Sequence, residues 1–164
     1  MLNQYLENIN KLNSSDEILG YLKDFYVHLK EDTKIEGLFT HDELNSNESH
    51  VKKLILNEKT NHGTLKFEVM YFTGKKYTPT HTHPEFVIDE VVKGKLEEKI
   101  YRCTDDGKYE FVKTDIRPTN DLRLINCDQG YPHEVIGLDK LNFTYCLSMG
   151  HEKVTPICES KIID

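Results

Sequence analysis

The sequence predicts an all-β fold, a sandwich or a barrel, with helices in front of it. About ten short β-like runs follow one another beyond residue 50, and Gly, Asp and Asn turns separate them. No crossover helix, which a parallel sheet would need, is apparent between these runs. With 164 residues the chain has the size of one ordinary domain. We expect a helical segment at 1–45 that packs on a β-barrel at 46–164, within one structural domain.

Two helices are predicted before residue 31, because apolar residues recur there at helical spacing. Between them, Ser14 or Ser15 can accept from a free backbone N–H, and acids at 16 and 17 complement the positive helix end. We expect these helices to pack rather than to carry chemistry. The two apolar stripes are Leu2, Tyr5, Leu6, Ile9 and Leu12, then Ile18, Leu19, Leu22, Phe25, Tyr26 and Leu29.

The β-like runs show the two-residue alternation of strands. In TLKFEVMYF the residues at 65, 67, 69 and 71 are apolar and those between them are mostly polar. The other runs are VKKLILN, KKYTPTHTH, FVIDEVVKG, KLEEKIYRC, KYEFVKTDI, DLRLINC, HEVIGL, LNFTYCLSMG and KVTPIC. Strands at this regular spacing are typical of a sandwich or a barrel.

The charge balance disfavours polyanionic partners. Lysine and arginine number 21 against 28 acids, which gives a net charge of -7. A chain this acidic is a poor candidate for binding nucleic acid or an anionic membrane. We therefore expect a small-molecule partner, and a monomer or a homodimer, since an open sheet edge can pair between subunits.

The length of the apolar runs, the N-terminal sequence and the spacing of the cysteines indicate a cytoplasmic location. No apolar run approaches the roughly 20 residues that span a bilayer. The first residues, MLNQYLENINKLNSSDE, lack the basic start and apolar core of a secretion signal. The four cysteines are widely spaced without a CxxC pair, and in a reducing compartment they are expected to be free thiols. They are Cys103, Cys127, Cys146 and Cys158.

The stretch THTHPEFVIDEV contains the first candidate for a chemical site. Residues i and i+2 of a strand point to one face, so His81 and His83 can direct two imidazoles into one space. A metal ion at about 2.0–2.2 Å from each nitrogen fits such a pair. Alone, the pattern is equally typical of surface or hydrogen-bonding histidines.

A second motif supplies a third candidate ligand. Gly130 lies three residues before His133, which opens the run HEVIGL. In a closed barrel, strands distant in sequence can face one another across the lumen. His81, His83 and His133 can then form a cap of three nitrogens with open positions on the other side. The histidines at 50, 62 and 151 are isolated in the sequence, and we expect ordinary surface roles for them.

These motifs resemble those of the cupin superfamily. Gly74, His81, His83 and Gly94 resemble its first motif, and Gly130–x–x–His133 resembles its second. The resemblance covers roughly residues 50–158 and implies a cupin-type β-barrel, also called a double-stranded β-helix or jelly roll. The glutamate usual in the first motif is missing, because Val87 and Ile88 occupy its place. Glu85, Asp89 or Glu90 would have to replace it from an unusual offset.

A missing glutamate beside three retained histidines resembles one cupin branch, the thiol dioxygenases similar to cysteine dioxygenase. N-terminal helices precede the barrel in that branch as well. The resemblance implies Fe(II) on His81, His83 and His133, with O2 oxidising a small, cysteine-like thiol carboxylate to its sulfinate. A site without a carboxylate ligand is one charge more positive than the commoner iron triad, which favours an anionic thiolate.

The same branch holds the substrate carboxylate with an arginine on an early strand. Lys52 or Lys53 lies at about that place, although two exposed lysines of an edge strand explain the pair equally simply. Candidates around the ligands are Tyr77 and Tyr131, which flank the histidine motifs and otherwise pack at the barrel mouth.

On the strand LNFTYCLSMG, the branch carries a serine, a histidine and a tyrosine at fixed spacing. This chain has Ser148 at a position that fits this spacing, and Tyr145 lies near the strand position of the tyrosine but does not fit it. Three functions therefore stay open. The first is the iron-dependent thiol dioxygenase. The second is a cupin isomerase, lyase or hydrolase with Mn, Ni or Zn on the same histidines. The third is a non-catalytic cupin that binds a small ligand.

Overall fold

The computed structural model describes residues 2–126 and 132–151. Its N-terminal part contains the helices α1 (Leu2–Ile9), α2 (Ser15–Asp32) and the short α3 (His41–Leu44). Ser14 caps α2: its hydroxyl accepts from the Glu17 N–H at 3.3 Å, and the Glu17 carboxylate accepts from the Ser14 N–H at 3.2 Å. This reciprocal pair is a capping box, and it fixes where the helix starts.

Eight antiparallel strands follow within the described residues. They form a five-stranded sheet of order β1-β2-β8-β3-β6 and a three-stranded sheet of order β5-β4-β7. Their bounds are β1 (His50–Thr60), β2 (Gly63–Phe72), β3 (Phe86–Lys93), β4 (Lys95–Cys103), β5 (Tyr109–Pro118), β6 (Leu122–Asn126), β7 (His133–Gly137) and β8 (Phe143–Gly150). The prediction of an all-β fold with N-terminal helices is confirmed.

One predicted strand does not form. Between β2 and β3, the segment KKYTPTHTH makes only an isolated bridge, from His81 to His133. Pro79 and Pro84 lie around this bridge and have no N–H to donate to a ladder, which accounts for the missing strand. The predicted strand KVTPIC lies outside the described residues.

The two faces of the five-stranded sheet have different surroundings. One face packs against the helices, where the fully buried Phe67, Ile88 and Leu147 meet Leu22 and Phe25 of α2 in the main hydrophobic core. Burial of side chains of this size contributes about 1.5–3 kcal/mol each, so this face anchors the helical segment to the sheet.

A buried polar contact also ties α2 to this face. Glu90 on β3 accepts a hydrogen bond of 2.6 Å from the Tyr26 hydroxyl and pairs with Lys30 at 2.6 Å. The opposite face of the sheet turns toward the three-stranded sheet and encloses a lumen. A second, smaller apolar cluster of Phe72, Val91, Leu96 and Val135 joins the two sheets there.

None of the helices within 2–126 and 132–151 is long and apolar enough to cross a membrane. The cytoplasmic location stays a prediction. Cys146 is a free, buried thiol, whereas Cys103 is disulfide-bonded, so the prediction of free thiols is wrong for Cys103. Cys127 and Cys158 lie outside the described residues.

Candidate metal centre

Three histidine side chains converge at the mouth of the lumen. The Nε2 atom of His133 lies 2.8 Å from Nε2 of His83 and 3.1 Å from Nε2 of His81. The ligand atoms of the three residues all lie within 4.8 Å of one another. A ladder-like backbone bridge between residues 81 and 133 places two of them, with N to O distances of 3.1 and 2.9 Å.

Hydrogen bonds at the far side of two rings orient their Nε2 atoms. Nδ1 of His81 lies 2.9 Å from the Pro79 carbonyl oxygen, which can only accept, so this nitrogen carries the ring proton. Nδ1 of His133 donates in the same way to the carboxylate of Glu98, a residue of β4 that is 1% exposed. In the neutral rings, both Nε2 lone pairs then face the common centre, as metal-binding histidines require.

A partly buried charge network holds Glu98 in place. Arg123 donates to Glu98 at 2.8 Å and to Asp121 at 3.0 Å, and Asp121 accepts from Arg117 at 2.6 Å. Arg117 also pairs with Asp89 on the lumen wall. Burial raises the pKa of Glu98, but His133 and the two arginines outweigh it, and the pKa lies below its usual value. Glu98 is thus a stable carboxylate acceptor behind His133.

The environment favours the neutral imidazole at His81 and His83. Burial, followed by the neighbouring His133, lowers the pKa of His81 to about 4. Burial, followed by His133 and His81, also holds the pKa of His83 well below its ordinary value. Neutral imidazole is the form that binds metal. Lone pairs crowded at about 3 Å repel one another unless a cation lies between them, so the donor set fits a metal ion.

The spacing of the nitrogens suits a shared ion. With metal–nitrogen bonds of about 2.1 Å, two ligands of one ion have nitrogens roughly 3.0–3.4 Å apart. The observed distances of 2.8 and 3.1 Å are close to this range, so small shifts of the rings would let all three bind one ion.

No carboxylate joins the three histidines in the part of the chain that the structure describes. Val87 and Ile88, at the place of the usual glutamate, are fully buried apolar residues. Of the acids considered as replacements, Asp89 pairs with Arg117 and Glu90 faces the helices. The centre is therefore a group of three neutral ligands that can bind a metal.

The histidines line a cavity of about 590 Å³. This volume lies within the range of roughly 300–1,000 Å³ that is typical of small-molecule sites. The wall beyond the histidines combines apolar residues, such as Phe72, Leu96 and Val135, with polar ones. It includes Lys52, Lys66, Glu68, Asp89, Arg117 and Ser148.

The two candidate lysines lie on opposite faces of β1. Lys52 lines the cavity and forms no ion pair or side-chain hydrogen bond with the described residues. Lys53 pairs with Glu43 of α3, and its ammonium lies 5.7 Å from the centre of the Phe39 ring. The expectation for Lys53 is therefore corrected, because its strand position turns it toward the helices, and Lys52 alone remains a candidate for binding a substrate.

The structure also separates the predicted residues around the ligands. Ser148 lines the cavity. Tyr77 instead donates to Glu97 and packs under Lys99, outside the lumen, and the Tyr145 hydroxyl donates to the Thr33 carbonyl on the helix face at 2.8 Å. Both tyrosines are thus corrected to packing roles. Tyr131 lies outside the described residues.

Several residues of the site were missed from the sequence. His50 and His151 line the cavity, although each stands alone in sequence, and Glu98 and Arg117 form the network behind the ligands. A usable signal existed for Glu98, which is a charged residue at a strand position between the apolar Leu96 and Ile100. For His50 the only signal is that it shares a strand face with Lys52.

Comparisons with known proteins place the fold. No protein-family model matches the chain, and no curated protein matches either. Among solved structures, oxalate oxidase in complex with the substrate analogue glycolate has a TM-score of 0.53 and 16% identity over 75% of this chain and 60% of that chain. Another oxalate oxidase structure has a TM-score of 0.52 and 16% identity over 71% of this chain and 58% of that chain.

A cupin 2 conserved barrel domain protein from Leptotrichia buccalis has a TM-score of 0.50 and 14% identity, over 71% of this chain and 47% of that chain. The chain thus spans no more than 60% of the length of these three neighbours. At these identities the likeness shows the fold alone. The predicted cupin-type β-barrel is confirmed, and these neighbours include no thiol dioxygenase.

Proposed function

We propose that this cupin-fold protein holds Fe(II) on His81, His83 and His133 and oxidises a small thiol carboxylate to its sulfinate with O2. The observation that carries the proposal is the pairing of two features in one cavity. Three neutral nitrogen ligands converge without a carboxylate, and an ammonium group, that of Lys52, lines the same cavity without a described ion-pair partner.

Charge balance links these features to the substrate class. Three imidazoles leave both positive charges of a divalent ion uncompensated, unlike the iron triad that includes a carboxylate. A thiolate that also carries a carboxylate brings two negative charges, one for the ion and one for Lys52. When bound, Fe(II) would supply a centre at which the thiol ionises and its sulfur reacts with O2, and both oxygen atoms end on sulfur.

The chain's own residues have separate tasks in this scheme. Glu98 fixes the ring of His133 and its tautomer, and the Pro79 carbonyl does the same for His81. Lys52 provides the charge that holds the substrate carboxylate. Leu96 and Val135 give the cavity an apolar part that limits the water around the reacting atoms.

A second candidate is a metal-dependent conversion of a small carboxylic acid without a thiol, with Mn, Ni or Zn in place of iron. The likeness to oxalate oxidase, one of whose structures contains glycolate, supports this alternative. The same histidines and Lys52 would serve it, and only the reacting group of the substrate would differ. A non-catalytic protein that binds a small carboxylate is the third possibility.

One experiment separates the three. The metal bound to the purified protein is identified by elemental analysis, and the Fe(II) form is then incubated with cysteine, 3-mercaptopropanoate, glycolate and oxalate while oxygen uptake is recorded. We expect uptake with a thiol carboxylate and a product heavier by two oxygen atoms. Uptake with glycolate or oxalate would instead support the second candidate, and tight Zn or Ni without oxygen use would contradict the dioxygenase.

The ligand assignment has its own test. His133→Ala should lose stoichiometric metal, and His62→Ala is the matched control because His62 contacts the Ile9 carbonyl, away from the cavity. If His133→Ala retained its metal, the third ligand would have been assigned incorrectly.

A further inference from the structure

His50 is a cavity residue that the metal centre does not use. It opens β1 two residues before Lys52, so both side chains point into the lumen. It does not belong to the group of histidines whose ligand atoms lie within 4.8 Å of one another. Its place beside the Lys52 ammonium therefore calls for a role other than metal ligation.

The imidazole of His50 is held on two sides. Its Nδ1 lies 3.0 Å from the hydroxyl oxygen of Ser49, a residue that is 5% exposed. Its ring stacks on Phe72 at 6.0 Å between centres, with 27° between the planes. A ring fixed by a hydrogen bond and a stacking partner loses little further freedom when it binds a ligand.

The other ring nitrogen is available to a ligand. Nε2 of His50 has no hydrogen-bond partner among the described residues, and it is not one of their buried unpaired atoms, so it is accessible in a residue that lines the cavity. Burial and then the nearby Lys52 lower the pKa of His50, which favours the neutral ring. If the Ser49 hydroxyl donates to Nδ1, the single ring proton lies on Nε2, from which it can be donated to a ligand.

We propose that His50 and Lys52 form a two-point clamp that binds one carboxylate group of the substrate, with Nε2–H of His50 donating to one oxygen and the Lys52 ammonium to the other. The proposal rests on the proposed function for the identity of the substrate, but the clamp itself requires only a carboxylate. A neutral donor beside a cation suits an anion, whereas the ammonium repels an amine of the same size. The clamp thus selects small carboxylates and rejects small amines.

Binding of ligands without a thiol tests the clamp separately from catalysis. Propanoate and propylamine are titrated calorimetrically into the metal-loaded protein without oxygen. We expect propanoate to bind at least tenfold more tightly than propylamine, and His50→Leu to weaken propanoate about tenfold, since a hydrogen bond to a charged group contributes that much. His50→Gln retains a donor at similar reach and should lose no more than about threefold.

His41→Leu is the matched control, because His41 is an exposed histidine of α3 and should leave binding unchanged. The clamp is overturned if wild-type protein does not bind propanoate, if His50→Leu binds it normally, or if His50→Gln loses as much as His50→Leu. Thermal unfolding verifies that each variant folds, and with two His50 variants the clamp stays testable if one of them does not. If propanoate binding depends on His50 while thiols consume no oxygen, the clamp stands and the dioxygenase fails.

Discussion

The two faces of the five-stranded sheet share the same strands but have opposite contents. On β2, Phe67 points to the helices and is fully buried in the main core, whereas its neighbours Lys66 and Glu68 line the cavity. On β8, Leu147 and Ser148 divide in the same way. The comparison teaches that one strand can supply fold stability and site chemistry at once, because successive side chains alternate between the two faces.

The largest effect is expected when a metal ligand is removed from the cavity face of the sheet. We expect His83→Ala to lose stoichiometric metal, because three nitrogens are the whole described ligand set. The folded state should survive, since His83 contacts the other two histidines rather than the main core. Elemental analysis gives the metal content, and far-UV circular dichroism verifies the fold. A variant that keeps its metal would remove His83 from the centre.

The opposite face should respond in stability rather than in metal content. Phe67→Ala is expected to lower the free energy of unfolding by about 3–5 kcal/mol, because it leaves a cavity in the core. Ser148→Ala, on the cavity face, should change it by less than about 1 kcal/mol. Urea unfolding of the metal-free proteins measures both. Equal losses of unfolding free energy in the two variants would contradict a larger contribution of the helix-facing side to stability.

The network behind the ligands offers a graded test. Glu98→Gln keeps the shape of the side chain but weakens the acceptor of the His133 ring proton. We expect metal affinity to fall about 10–100-fold, as is usual for the partner of a metal-binding histidine. Competition with a chelator measures the affinity, and Glu97→Gln on the outer side of the same strand is the control. An unchanged affinity would mean that Glu98 only fills space.

The adjacent lysines Lys52 and Lys53 of β1 allow the two faces of the sheet to be compared with a single pair of variants. Lys52→Met should weaken binding of propanoate about tenfold, because it removes from the cavity the ammonium assigned to the carboxylate. Lys53→Met should leave that binding unchanged, because its ammonium pairs with Glu43 on the helix face. Calorimetric titration of both variants is the measurement. If Lys53→Met weakened binding more than Lys52→Met, the assignment of the two faces of β1 would be reversed.

The smallest effect should appear in the pH dependence of the metal-free protein. Since His81 has a pKa of about 4 in the folded state and about 6.5 when unfolded, the unfolded chain binds more protons between these values. Stability should therefore fall as the pH drops through this window, by up to about 1 M in urea midpoint between pH 7 and pH 5. His81→Gln should flatten the slope, and a slope that stayed as steep would assign the protons to other groups.

Much of the fold could be predicted from local patterns in the sequence. The capping serine of α2, the apolar stripe of that helix and the alternation of β2 are all local signals, and each was predicted. The meeting of His81, His83 and His133 also followed, because motif spacing and barrel closure both point to one space. The predicted strand around Pro79 failed because proline, whose ring closes on the backbone nitrogen, has no N–H to donate to a ladder.

The composition of the cavity wall was harder to predict, because polar alternation looks the same whether a face meets bulk water or a lumen. Lys66, Glu68 and Asp89 alternate with core residues as surface residues do. The choice between Lys52 and Lys53 was obscured by a β-bulge between Leu54 and Leu56, which breaks the alternation along β1. Only the pairing of the strands in the folded structure shows which polar side chains face the lumen and which face bulk water.

The backbone bridge between His81 and His133 has a consequence for the rate at which a bound metal would be released. These residues lie 52 positions apart in sequence, and the segment that carries His81 forms no strand of its own. Besides the bridge, Thr78 ties the segment to Val135 through its backbone N–H and its hydroxyl. An ion bound by both histidines would add a further link between this segment and β7. Metal binding should therefore slow local opening of the segment around His81, and that opening should in turn speed the loss of the metal.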